Sequence, residues 1–119
     1  MIFRAIIIFL VIIFLLTSCL IDQNPKFKIV NYSDEQFDSI VLYTNHRSQT
    51  LEKVFPESSH KGRLSFDPST KGDGMYGIDL YQKDSIVRFQ SWGYFTNGAS
   101  LNYSFRIELF QDSIVIKER

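Results

Sequence analysis

Apolar residues are arranged in two ways along this chain. From Ala5 to Leu16 they run unbroken (AIIIFLVIIFLL), and from Phe27 onward they return at alternate positions in short runs separated by polar turns. Alternation with period two marks a strand that is buried on one face only. The clearest case is Leu101, Tyr103, Phe105, Ile107 and Leu109, interleaved with Asn102, Ser104, Arg106 and Glu108. β-branched or aromatic runs predict further strands at Phe27–Val30, Ser39–Thr44, Leu51–Phe55, Arg63–Phe66, Met75–Gln82, Ser85–Phe95 and Ile114–Lys117, with Leu101–Phe110 the penultimate one. Polar stretches such as Pro56–Ser59 and Asp67–Gly74 supply the turns, and no helix is predicted after residue 26.

Seven or eight short strands in about a hundred residues predict an all-β fold, an antiparallel β-sandwich of immunoglobulin-like or transthyretin-like kind. The hairpin around Thr96-Asn97-Gly98 sets which residues face the core. A two-residue Asn97-Gly98 turn pairs Thr96 with Ala99 and puts Arg88 and Gln90 on the apolar side, which is costly. A three-residue loop with Gly98 left-handed pairs Phe95 with Ala99, Phe89 with Phe105 and Val87 with Ile107, keeping the apolar sets together, and is favoured for that reason. It turns Trp92 and Tyr94 outward beside Asn102, Ser100 and Ser104. Rings flanked by hydrogen-bonding side chains suit a glycan- or protein-binding patch, so Trp92, Tyr94 and Asn102 are the candidate ligand-binding residues. The competing reading is that Trp92 is covered by a neighbouring segment.

The apolar run at the start changes the picture of location. Arg4 precedes it, and Thr17-Ser18 place small residues before Cys19, as in a cleavable secretory signal. An uncleaved anchor over Ile2–Ile21 is the alternative, disfavoured by the small polar pair near its end. Leu16-Thr17-Ser18-Cys19 resembles the lipobox of bacterial lipoproteins, which implies acylation of Cys19 and cleavage just before it. The expected organisation is a signal peptide over 1–18, a lipidated tether over 19–26 and a β domain over 27–119. The domain would then be held to the membrane by its lipid chains, without a spanning helix.

Composition narrows the remaining options. Setting aside Arg4, twelve Lys and Arg face thirteen Asp and Glu after residue 18, dispersed among one another, so neither a charged partner nor nucleic acid is implied. Cys19 is the single cysteine, so burial rather than disulfides must hold the domain, and eight Phe, six Tyr and one Trp after residue 18 supply the apolar area.

Catalytic constellations fail on context. Ser58-Ser59-His60-Lys61 matches Ser-x-x-Lys only as text, lacks the companion motifs of penicillin-recognising enzymes, and reads as a turn. His46 and His60 lack ligand-like spacing and read as solvent-facing, and the Asp67–Asp73 loop departs from a calcium-loop pattern. Asp79 reads as an ordinary exposed strand carboxylate. No metal, cofactor or catalytic residue is expected.

Asp-Ser-Ile-Val occurs at Asp38–Val41, Asp84–Val87 and Asp112–Val115, each time at the start of a predicted strand. A local reading suffices: Asp and Ser satisfy turn backbone, and Ile and Val begin the pleat. The triplet also resembles the Asp-(Ser/Thr)-aliphatic acceptor sequence of the general O-glycosylation system of Bacteroidota, which implies glycans on Ser39, Ser85 and Ser113. Taken with Leu16–Cys19, the aromatic strands and Gly93–Gly98, the chain resembles the small β-sandwich lipoproteins of that phylum. The resemblance implies a non-enzymatic envelope protein that binds a protein or glycan or serves structurally. Asp22 and Gln23 lack the clustered acids of a surface-export signal, favouring outer-membrane attachment facing the periplasm. The alternatives are an inhibitor or immunity-type lipoprotein presenting a loop such as Phe55–Lys61, and a small hydrolase.

Overall fold

The computed structural model describes residues 1–18, 24–97 and 99–119, so Cys19, the following residues to Gln23, and Gly98 lie outside the described residues. The apolar run, free of Gly and Pro, forms helix α1 (Ile2–Ser18). Among the described residues no helix is long and apolar enough to cross a membrane. The rest is β: β1 (Lys26–Asn31), β2 (Phe37–Tyr43), β3 (Ser48–Val54), β4 (Ser59–Arg63), β5 (Asp73–Gln82), β6 (Ser85–Thr96), β7 (Ala99–Ser100), β8 (Ser104–Leu109) and β9 (Ile114–Glu118).

Two sheets form, ordered β4-β1-β8-β9 and β3-β2-β5-β6-β7, in a sandwich-like arrangement. The expectation of a wholly antiparallel fold fails at one pair, because β1 runs parallel to β8 from Lys26↔Ser104 to Asn31↔Leu109. Parallel neighbours need a long crossover, and here the whole of the second sheet lies between them in sequence. Strand limits moved most at β4, which begins at Ser59 where the sequence predicts a turn, and reaches only Arg63.

The core is built from the alternate positions of both sheets. Phe27, Ile29, Phe105, Ile107 and Leu109 from the first meet Phe37, Ile40, Leu42, Tyr76, Ile78 and Leu80 from the second, with Leu64 and Phe66 contributed by the β4–β5 connection. Tyr76 ties the layers together, its ring centroid 4.8 Å from that of Phe105 and 5.3 Å from that of Phe95. Among the described residues, the buried hydrophobic ones lie between Phe27 and Ile114, whereas Met1–Phe14 are exposed throughout. The segment from Asn24 onward therefore carries its own core.

Buried polar groups are used to shape turns. Asn31, fully buried at the end of β1, donates from Nδ2 to the carbonyls of Glu35 (2.8 Å) and Phe55 (3.2 Å), and its Oδ1 accepts from the Ser33 amide (3.0 Å). Asn45 does the same at the other end, donating to the Asp67 carbonyl (3.0 Å) and accepting from the Asp67 amide (2.8 Å). Each such amide satisfies loop backbone that burial would otherwise leave unpaired.

The hairpin register differs from the favoured one. β6 and β7 pair Phe95 with Ser100 and Thr96 with Ala99, which is the two-residue connection, and Asn97 adopts the positive φ (49°) that such a turn requires. Phe89 consequently does not meet Phe105, nor Val87 Ile107. The chain leaves this sheet after Ser100 and enters the other as β8, so Phe105 pairs with Phe27 of β1 instead. The feared cost of an inward Arg88 is met by hydrogen bonds: its guanidinium donates to the carbonyls of Phe110 (2.9 Å) and Gln111 (2.6 Å) in the β8–β9 turn and approaches Glu35 at 3.7 Å.

Candidate functional site

The patch expected around Trp92 is not assembled. Trp92 is 5% exposed, stacked on Tyr76 with centroids 5.5 Å apart and set edge-on to Phe105 at 5.7 Å, so it is core. Tyr94 is exposed because Gly93, at φ 63°, sits in a bulge that separates the two inward residues Trp92 and Phe95. Its phenol donates to Asp73, a bond that raises the tyrosine's pKa; the Thr96 hydroxyl, 2.5 Å from the same carboxylate, and then Tyr94 hold Asp73 below its ordinary value. Asn102 is half-buried where the chain changes sheets, its amide donating to Ser100 Oγ (3.1 Å) while that hydroxyl donates to its carbonyl (2.8 Å). Trp92 is thus held in the core, while Tyr94 and Asn102 are each bonded to partners of their own.

The other singled-out residues also find places. Ser85 and Ser113 are exposed and Ser39 half-buried, and each Asp-Ser-Ile copy stands at or near the start of a strand: β2, β6 and β9. Asp38 accepts the Lys83 amide (2.5 Å), a turn-satisfying bond of the expected chemistry made to a neighbouring turn. His60 is a correction: it lies on the inward side of β4 opposite Ile29, half-buried with Nε2 enclosed, while His46 is exposed. Asp67 accepts from the Ser69 amide (2.9 Å) and hydroxyl (2.6 Å) and the Thr70 hydroxyl (3.0 Å), which lowers its pKa and uses its oxygens within the loop.

Two outer faces carry chemistry that was not read from the sequence. On the five-stranded sheet, Val41 pairs with Asp79, Tyr43 with Gly77 and Ser39 with Tyr81 across β2 and β5, and Asp79 is flanked on β6 by Phe89. With Ile40, Leu42, Ile78 and Leu80 buried beneath, these residues point outward. Phe89 is 74% exposed. The Tyr43 hydroxyl is hydrogen-bonded to Asp79 and Tyr81; burial first and these bonds next push its pKa well above the ordinary tyrosine value. Asp79 is therefore more than an ordinary exposed carboxylate, since it is half-buried and bonded to the Tyr43 phenol beside an open ring.

On the four-stranded sheet the basic residues, dispersed in sequence, are gathered into two ranks. One rank runs Arg63, Lys26, Ser104, Arg119 across β4, β1, β8 and the end of β9, and the next runs Lys61, Lys28, Arg106, Lys117. Seven of the chain's thirteen Lys and Arg thus line one open groove of about 670 Å³. Among the described residues their ion pairs involve Glu108 alone, 2.9 Å from Lys117 and 3.3 Å from Arg106. The Lys117 bond, then the Arg106 bond, outweigh desolvation and hold Glu108 below its ordinary pKa. The signal for this face was present in the alternation of cations with Phe27, Gly62 and Phe105, but only pairing shows that the four runs are neighbours.

Comparison with known proteins finds no matching family, no matching curated protein and no matching solved structure.

Proposed function

We propose that this protein is a non-enzymatic lipoprotein of the bacterial envelope, anchored through Cys19 and facing the periplasm, whose sandwich, of immunoglobulin-like or transthyretin-like kind, binds a glycan on the outer face of β2, β5 and β6. The observation that carries the binding role is Phe89, an exposed ring beside Asp79, which is hydrogen-bonded to Tyr43 as Tyr43 is to Tyr81. An open ring offers a stacking surface for the C–H face of a sugar, while a carboxylate and phenols held at fixed positions exchange hydrogen bonds with its hydroxyls at small entropic cost. The anchor rests on the lipobox-like Leu16–Cys19.

The test is a glycan array probed with the Asn24–Arg119 domain and its Phe89→Ala and Asp79→Asn variants. Saturable binding that falls about tenfold or more in both variants, equivalent to ~1.4 kcal/mol, supports the reading. A domain that binds no glycan, or binds one equally with both substitutions, overturns it.

A second reading, an inhibitor or immunity-type protein, draws on the loop after β3. Exposed Phe55 is presented on a segment clamped to β1, where Glu57 N donates to the Asn31 carbonyl (2.8 Å), Asn31 N to the Ser58 carbonyl (3.0 Å) and Asn31 Nδ2 to the Phe55 carbonyl (3.2 Å). Such a preorganised loop suits insertion into a partner's cleft. Cross-linking in the native host, with Phe55→Ala abolishing the captured partner and Phe89→Ala sparing it, would favour this reading.

A further inference from the structure

We propose that the outer face of the β4-β1-β8-β9 sheet is a membrane-docking surface that seats the domain on an anionic phospholipid bilayer. Its charge arrangement is one that folding alone disfavours. Lys28 lies directly opposite Lys61 and Lys26 opposite Arg63, with Arg106 beside Lys28 on the other side. Like charges in register across strands repel, and among the described residues the carboxylate that pairs with them, Glu108, is already shared between Arg106 and Lys117. A dense array of phosphate headgroups is the counter-surface such a broad, open cationic face fits, and a whole-molecule charge near zero means the attraction comes from this segregation.

Two further observations select a bilayer over a soluble polyanion. First, Tyr103 and Leu101, placed in the core by their alternation, are instead 88% and 62% exposed. They stand at the end of the sheet where β1 begins, with the Lys26 amide donating to the Tyr103 carbonyl (3.0 Å). An aromatic and an aliphatic residue at the margin of a basic face match the headgroup–acyl boundary, where a ring with a polar tip is favoured. Second, the chain enters this sheet at Lys26, seven residues after Cys19, a reach of at most about 25 Å. The same end of the same sheet thus carries the cations, the apolar residues and the approach of the tether. Seating on the membrane that holds the anchor rests on the Cys19 reading; affinity for the bilayer does not. Docked in this way, the domain would turn the Phe89 face outward, away from the lipid.

The test uses the unlipidated Asn24–Arg119 domain, so its result is independent of Cys19, and intact mass of the native protein reports on acylation separately. Co-sedimentation is measured with vesicles of phosphatidylcholine and with vesicles of equal parts phosphatidylcholine and phosphatidylglycerol. The expected result is binding to the second and not the first, weakening as salt rises. The paired Lys28→Glu, Lys61→Glu substitution replaces one like-charge pair by another and sets a carboxylate beside Arg106, so the fold itself is not weakened. It should lower vesicle affinity at least about twenty-fivefold, at about fivefold per lost cation. Leu101→Ser with Tyr103→Ser, which leaves every cation in place, should weaken binding to the anionic vesicles at all salt concentrations. Thermal unfolding of both variants checks that each is folded. Equal sedimentation with neutral vesicles, undiminished binding by the charge-reversed pair, or stoichiometric saturable binding of free glycerol phosphate in place of vesicles would each overturn the proposal.

Discussion

Trp92 was predicted on a wet face and lies in the core, and its neighbours set what its removal costs. Stacked on Tyr76 and edge-on to Phe105, it should lose about 3–5 kcal/mol on Trp92→Ala, while Phe89→Ala, on an open face, should lose about 1 kcal/mol or less. Urea unfolding of the Asn24–Arg119 domain separates the two, and similar losses for both would contradict the β6 bulge that turns Trp92 inward. Glu108 gives a pH signature. Lys117 and Arg106 lower its folded pKa below the ordinary glutamate value of 4.5, so its contribution is fully present above that value and is lost as pH falls through the folded pKa. Glu108→Gln should flatten the fall in stability across that acid range without abolishing it, because Asp67 and Asp73 are also held low. An unchanged pH profile in the variant would mean that Glu108 is not ionically held.

The bulge in β6 decides which way its side chains point. Gly93 sits at φ 63°, and a Cβ there would come within 3.0 Å of the Tyr76 ring and 3.1 Å of Glu118 Oε1. Gly93→Ala therefore combines a left-handed backbone with a crowded site and should cost about 1–3 kcal/mol, read as a lower urea midpoint at unchanged slope. Most elements were legible as period-two runs, since alternation needs only local sequence. The direction each run faces was not, because it depends on a turn two residues long and on whether the following strand stays in the sheet. Leu101–Leu109 shows this: one alternating run is divided between an exposed crossing at Leu101–Tyr103 and a buried strand from Phe105.

For the molecule as a whole, the two sheets offer opposite outer faces, one cationic and one aromatic, at the end of an acylated tether if Cys19 is processed as its surroundings imply. Cys19→Ala should then shift the protein from the membrane fraction and leave its signal uncleaved, whereas wild-type intact mass should show loss of residues 1–18 and addition of lipid. An unmodified Met1–Arg119 chain in the membrane would contradict the anchor. If the host belongs to Bacteroidota, peptides containing exposed Ser85 and Ser113 should carry hexose-type additions more fully than that of half-buried Ser39, because an acceptor hydroxyl must reach the transferase. Unmodified peptides at all three would leave these triplets as strand-opening turns.

Local pattern sufficed for the elements that depend on neighbours in sequence: an apolar run that becomes α1, alternating runs that become strands, and an all-β class with a single aromatic-rich core. It could not show which runs would lie side by side. The pairings of β1 with β4 and with β8 join residues about thirty-seven and seventy-eight positions apart at Lys26, and they turn dispersed cations into one face. The β5–β6 pairing sets Phe89 against Asp79, and the chain's change of sheet after Ser100 exposes Tyr103 while the bulge between Trp92 and Phe95 lets both face the core. These outcomes rest on contacts between segments distant in sequence, where the balance of burial and hydrogen bonding is struck over the whole sandwich and no short window of residues contains it.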